Sequence, residues 1–249
     1  MKNFRLCYPI LEKNLGKFEK IVSSLRKEKS VMLELRLDSL ISKGVGIDEI
    51  YRDLPNIKRI SGNEKIILTI RTKKEGGEVN LTYKLYKKYI SLLITSKVAD
   101  YIDIEYNMYK KDKSFYDNLI KTFQKKVILS THIFDKVYSE KKYKKLFDET
   151  LRVKCDIVKF AVMTKDIKDV VSFMQASREN AKRLARYKKS CIFIAMGTLG
   201  QISRLYPEYT DSKIVFMAPN GKKASNLGQF DKKTYYKYRK ILEKKLKNC

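Results

Sequence analysis

Eight short apolar runs punctuate the chain, at Phe4–Ile10, Val31–Asp38, Ile66–Arg71, Tyr101–Tyr106, Val127–Phe134, Ile157–Met163, Cys191–Gly197 and Ile214–Pro219. Each has the length of a strand. Most intervals carry apolar positions at helical spacing, over Asn14–Lys29, Asn80–Lys97, Lys113–Lys125, Glu140–Lys154, Lys165–Arg186 and Asp231–Lys247. The interval before the third run is shorter, less regular and holds Pro55; the one before the eighth, around Ser203–Tyr206, is shorter still. Strands that alternate with helices pair in parallel, because each crossover carries the chain back to its starting end. No linker-like stretch or repeat interrupts the rhythm. Eight such units in 249 residues predict a single-domain (β/α)8 TIM barrel over residues 1–249. An open doubly wound sheet is the alternative, but the first strand lacks the glycine fingerprint of its dinucleotide-binding forms.

Composition changes this picture little. Hydrophobic residues make up 43% of the chain, which argues for a packed core rather than disorder. No apolar run is long enough to span a bilayer, and the start, MKNFRLCYPI, does not read as a signal peptide. Cys7, Cys155, Cys191 and Cys249 show no metal-like spacing, and Cys7 and Cys191 sit in apolar runs. A reducing, cytoplasmic setting fits them. The formal charge of +27 raises a nucleic-acid-binding alternative. Against it, the lysines are scattered along the polar sides of helical patterns such as KKYKK and KKTYYKYRK, and no recognition-helix, RNP-like or zinc-finger motif accompanies them. A solvated lysine-rich surface is expected, one that also attracts a small carboxylate within the ~10 Å that salt permits.

Candidate chemistry lies on the strands. Side chains alternate faces, so Glu34, Arg36 and Asp38 share one side of the second strand and Leu33, Leu35 and Leu37 the other. An antiparallel strand with a wet face gives the same pattern; in a barrel the charges converge near the axis, where opposite signs can pair. The third strand ends at Arg71, ahead of Thr72-Lys73-Lys74-Glu75-Gly76-Gly77. An arginine there can hold a hydroxyl or carboxylate, and the glycines permit a tight turn. Asp103 and Glu105 share a face of the fourth strand and read as electrostatic support for a nearby cation rather than a metal site, since no histidine lies close in sequence. The only histidine, His132, ends the fifth strand. It is either a hydrogen-bonded structural group or, given its place at a strand's carboxyl end, an acid–base catalyst.

Lys159 is the single lysine within Ile157–Met163. Both faces of a barrel strand are covered, so desolvation and cations such as Arg36 or Arg204 would favour the neutral amine, the nucleophile for a ketone or aldehyde. The alternative is an edge lysine reaching water. Ser203-Arg204 follows the seventh strand. The Gly221–Gln229 loop can cradle an anion or simply connect.

Taken in order, these segments resemble the type I 3-dehydroquinate dehydratases. The resemblance rests on Glu34-Leu35-Arg36-Leu37-Asp38, Arg71-Thr72 with Glu75-Gly76-Gly77, Asp103-Ile104-Glu105 and Ser130-Thr131-His132-Ile133-Phe134. It continues through Lys159-Phe160-Ala161-Val162-Met163, Met196-Gly197 with Gly200 and Ser203-Arg204, and Ala224-Ser225 with Gly228-Gln229, covering nearly the whole chain. It implies a carbon–oxygen lyase that dehydrates 3-dehydroquinate to 3-dehydroshikimate. Lys159 would form a Schiff base with the ring ketone, His132 would act as general base and then acid, and Glu75 would orient it. Arg204 would clamp the substrate carboxylate, with Ser225 and Gln229 closing over it. Glu34, Arg36 and Arg71 would hold ring hydroxyls, and Met196 would line the pocket. The resemblance further implies a cytoplasmic homodimer that needs no metal or organic cofactor.

Some positions depart from that pattern. Asn226-Leu227 stand where the family carries a small residue and proline, which predicts a more mobile open lid. Ile133 replaces an acidic or amide residue and bears on how the imidazole is oriented. The bottom hairpin and a fused shikimate dehydrogenase are expected to be absent. A different Schiff-base barrel, such as a class I aldolase acting on a phosphorylated substrate, is the alternative enzyme; Arg204 and Gln229 look suited to a carboxylate instead.

Overall fold

The computed structural model describes residues 4–12, 14–25, 31–134, 138–218 and 228–247. In chain order the elements are β1 (Arg5–Ile10), α1 (Leu15–Leu25), β2 (Val31–Arg36), α2 (Leu37–Ile41), α3 (Ile47–Ser61), β3 (Lys65–Thr69), α4 (Tyr83–Ile94), β4 (Tyr101–Glu105) and α5 (Tyr106–Tyr109). There follow α6 (Lys113–Phe123), β5 (Lys126–Ile133), α7 (Glu140–Leu151), β6 (Ile157–Met163), α8 (Ile167–Arg186), β7 (Ser190–Met196), α9 (Ile202–Leu205), β8 (Ile214–Phe216) and α10 (Lys232–Lys247). Every strand pair is parallel, in the order β7-β6-β5-β4-β3-β2-β1-β8. The seam between β7 and β8 is narrowed by a bridge between Cys191 and Ser212, where the Lys213 N–H donates to the Cys191 carbonyl at 2.9 Å. The Ser212 hydroxyl substitutes for a ladder carbonyl, accepting from the Phe193 N–H at 2.9 Å. The sheet thus forms a (β/α)8 barrel.

Period-two alternation sorts the strand residues between two environments. On β6, Val158, Phe160 and Val162 pack outward with Phe147, Phe173 and Phe193, while Ile157 and Ala161 point to the axis. The inner face begins with apolar residues, Cys7, Met32, Ile67, Ile128, Ile157, Ile192 and Ile214, which fill the lower barrel. Further along β2 to β6 it carries the ionisable groups Glu34, Arg36, Asp103, Glu105, His132 and Lys159, and this charged layer sits at the carboxyl-terminal mouth where barrel sites form.

Two expectations are corrected. The second strand stops at Arg36, not Asp38, because Leu37–Ile41 winds into a helical turn. That turn swings Asp38 behind Arg36, whose Nε and Nη2 donate to the carboxylate at 2.9 and 2.8 Å. The irregular interval before the third strand is a 15-residue helix that carries Pro55 inside it. Ile47, Ile50, Leu54, Ile57 and Ile60 bury one face, and that packing outweighs the local cost of the proline.

Candidate active site

Lys159 sits in the ionisable layer with 4% of its surface exposed. Its Nζ donates to Asp103 Oδ2 at 3.4 Å and lies 3.5 Å from Glu34 Oε1. The ring centroid of Phe216 lies 4.3 Å away, so an aromatic face covers the third side. The amine's charged contacts are therefore carboxylates, not the expected Arg36 or Arg204. Asp103 is itself pinned by Arg71 Nη2 at 2.7 Å and the Ser130 hydroxyl at 2.6 Å. Burial opposes its ionisation, yet Arg71, Lys159 and Ser130 together hold its carboxyl below the usual carboxylate range.

Beside this group the β3 loop folds over the mouth. A tight turn, Lys73–Glu75, ends in Gly76 with φ of 81°, a backbone that glycine adopts without strain. A Cβ at Gly77 would lie 1.9 Å from the carbonyl oxygen of Arg71, so only glycine lets the loop double back this closely. The loop delivers Glu75 to His132: Oε2 of Glu75 lies 3.1 Å from the imidazole Nδ1 and accepts the His132 N–H at 3.1 Å. Burial, then the neighbouring Glu105 carboxylate, pushes the Glu75 carboxyl up to about 8. Burial, then Arg71 and Lys159, pushes the His132 imidazole well below its ordinary value. With neutral imidazole, an Nδ1–H directed at Glu75 leaves Nε2 as the basic nitrogen. Ile133 points the other way, into the apolar layer with Tyr143 and Val162, and takes no part in that orientation.

Arg71 is the hub of this wall. Its Nη1 donates to Ser130 Oγ at 2.8 Å and lies 3.3 Å from Glu105 Oε1 and 3.4 Å from Glu75 Oε2. Arg204 is its opposite. It is buried, Nη1 donates to the Phe216 carbonyl at 3.4 Å, and among the described residues it has no carboxylate within ion-pair distance and no partner for Nε. Burial without such a partner brings its guanidinium down to about 10.

One cavity is lined by Lys159, His132, Glu75, Glu34, Arg36, Arg71, Arg204, Gln229 and Met196, nine of the ten residues singled out in the sequence. Ser225, with Asn226 and Leu227, lies outside the described residues. Asp38, by contrast, stands behind the wall as the anchor of Arg36. Phe216 and Ile194 also line the cavity and were missed; their alternation with Ile214 and Ile192 on β8 and β7 was the available signal.

The fold and the ionisable cluster at its carboxyl-terminal mouth define a barrel enzyme. A model of the type I 3-dehydroquinase family matches residues 6–245, and the chain belongs to that family. It is 31% identical over 247 residues to a 3-dehydroquinate dehydratase of Lactococcus lactis subsp. lactis, covering 98% of this chain and 100% of that one. It is 29% identical over 239 residues to one from Streptococcus suis, covering 96% and 99%. A type I 3-dehydroquinate dehydratase of Clostridium difficile, solved with covalently modified comenic acid, superposes with a TM-score of 0.83 at 26% identity, covering 96% of this chain and 92% of that one.

Proposed function

We propose that this family member dehydrates 3-dehydroquinate to 3-dehydroshikimate through an imine on Lys159, within a single catalytic domain spanning residues 1–249. The observation that carries the reading is the lysine amine buried on a mostly apolar barrel strand, sharing one cavity with a His132–Glu75 pair and with Arg204, which has no carboxylate partner among the described residues. The Clostridium difficile relative was solved with covalently modified comenic acid, which is in keeping with covalent chemistry in this family.

Glu34, whose Oε1 lies 3.5 Å from the Lys159 Nζ, takes a proton from the ammonium and returns it to the carbinolamine hydroxyl. The neutral amine adds to the ring ketone, and loss of water gives an iminium. His132 then takes a proton from the adjacent carbon, and the electrons of that C–H bond flow into the iminium. The imidazolium returns the proton to the departing hydroxyl, which leaves as water. Hydrolysis of the imine restores the amine, so the net change is the loss of one water. The protein amine supplies the electron sink, and the route draws on neither a metal nor an organic cofactor.

Glu75 steadies the imidazolium through Nδ1. Arg204 is the clamp for the substrate carboxylate, since a buried guanidinium lacking an anion gains most from one. Gln229 and Ser225 close over it, Glu34, Arg36 and Arg71 flank the ring hydroxyls, and Met196 lines the wall. Asp38 holds Arg36 by its Nε and Nη2 edge, which leaves Nη1 for the ligand. The chain is further read as a cytoplasmic homodimer whose partner is a small molecule rather than nucleic acid; no described helix is long and apolar enough to cross a membrane.

Borohydride reduction in the presence of 3-dehydroquinate, followed by peptide mass spectrometry, tests the central step. A reduced adduct on Lys159 with loss of activity is expected, and none in Lys159→Ala. An active enzyme that yields no adduct sinks the imine.

A further inference from the structure

We propose that Asn107 is a positioning residue for the proton-transfer pair, holding the second oxygen of Glu75 so that the first stays aimed at His132. The inference rests on the acid–base reading of Glu75 and His132 above and concerns a residue that none of the sequence motifs contains.

The two carboxylate oxygens of Glu75 have separate neighbours. Oε2 meets the His132 Nδ1 and N–H at 3.1 Å and Arg71 Nη1 at 3.4 Å. Oε1 accepts from the Asn107 side-chain Nδ2 at 3.2 Å. A carboxylate gripped through one oxygen still swivels about its Cγ–Cδ bond; a donor on the other oxygen stops that rotation. Asn107 is well placed for this because its own backbone cannot drift. It lies in α5, where Tyr106, Met108 and Tyr109 are all buried, so the helical turn is clamped and the one exposed position projects over the rim.

An amide also suits a carboxyl group that changes its protonation state. Against an ionised Glu75, Nδ2 donates; against a protonated one, the flipped amide offers Oδ1 to the O–H. Four other charged or titratable groups face Glu75: Arg71 from the end of β3, Asp103 and Glu105 from β4, and His132 from β5. Of these, the two acids favour the protonated carboxyl and Arg71 opposes them. Its ionisation is finely balanced, and a single donor on Oε1 weighs in favour of the charged, working form.

The test compares Asn107→Leu, which fills the space without a polar group, and Asn107→Asp, which sets a like charge beside Glu75. Asn107 is exposed, so thermal unfolding of both variants should be near that of the parent. In Asn107→Leu the acid limb of the kcat profile should move up by roughly 0.5–1 pH unit. At neutral pH kcat should fall about three- to tenfold, with KM and the borohydride-trapped adduct on Lys159 unchanged. Asn107→Asp should move the limb further in the same direction. An unmoved profile in both variants, or a loss of activity equal at every pH, overturns the positioning role. Glu75→Gln, run alongside, separates the two levels: full activity there overturns the acid–base reading itself, whereas an impaired Glu75→Gln with unmoved Asn107 variants overturns only the inference drawn for Asn107.

Discussion

Arg71 Nη2 meets Asp103 Oδ1 at 2.7 Å, with both side chains sealed from solvent, and the same guanidinium reaches Glu105 and Glu75 with its other terminal nitrogen. One guanidinium thus touches three buried acids, and Lys159 shares only Asp103 with it. Burial works against the charge on Arg71, and Asp103, Glu105 and Glu75 outweigh it. Removing the cation strands those acids in a dry interior. Arg71→Met should cost about 3–5 kcal/mol in urea unfolding, the range for breaking a buried pair from one side. Arg71→Lys should recover only part, because an ammonium cannot span acceptors on both sides of the fork. A loss under ~1 kcal/mol for Arg71→Met would show that the wall reorganises without its hub.

Gly77 controls where that wall meets the imidazole. A methyl group there would sit 1.9 Å from the Arg71 carbonyl oxygen, a clash with backbone that no side-chain rotation relieves. Gly77→Ala should destabilise by about 2–3 kcal/mol. It should also cut kcat by roughly tenfold or more as Glu75 is displaced from His132. Activity with an unchanged kcat would mean that the loop absorbs the methyl without moving Glu75.

The sequence made some of this legible and hid the rest for identifiable reasons. The bounds of β6, Ile157–Met163, could be read directly because a continuous apolar run has sharp ends. Alternation also put Glu34 and Arg36 on the inner face. It failed one turn later, at Asp38, because the strand gave way to a helix whose start carries no capping side chain. Helix α3 was obscured by Pro55, although Ile50, Leu54, Ile57 and Ile60 hold the helical spacing on either side of it. Asp103 could be read as support for a nearby cation, but not that Lys159 would share it with Arg71 beneath the ring of Phe216. Alternation says which face a side chain takes, not which residues of distant strands lie opposite, and Asp103 and Phe216 arrive from β4 and β8.

Arg204 separates binding from stability. Its guanidinium is buried without an anion among the described residues, so the folded chain gains little from it and bears its desolvation. Arg204→Met should raise KM for 3-dehydroquinate by about 10²-fold, within the ~2–5 kcal/mol typical of a truncated buried charge contact. Unfolding free energy should stay level or rise, since a similar apolar volume replaces an unpaired charge. Equal KM values for the two proteins would remove the arginine from carboxylate recognition.

Glu75 gives the fold a pH dependence whose sign is fixed. Its carboxyl rises from 4.5 to about 8 on folding, so between those values the folded protein holds a proton that the unfolded chain has released. The contribution is fully present below 4.5 and is lost as pH rises through about 8. His132 acts in the opposite sense, with its imidazole lowered from 6.5, so its contribution is lost only as pH falls below 6.5. From pH 6.5 upward the histidine's contribution flattens as the unfolded imidazole also loses its proton, and of these two groups only the glutamate still changes the slope toward pH 8. In that window the parent should lose stability with rising pH by up to about 1.4 kcal/mol per unit more than Glu75→Gln, which has no proton to release. Urea unfolding of the two proteins at half-unit intervals measures the difference, and parallel curves would show that Glu75 is already ionised in the folded state at pH 6.5.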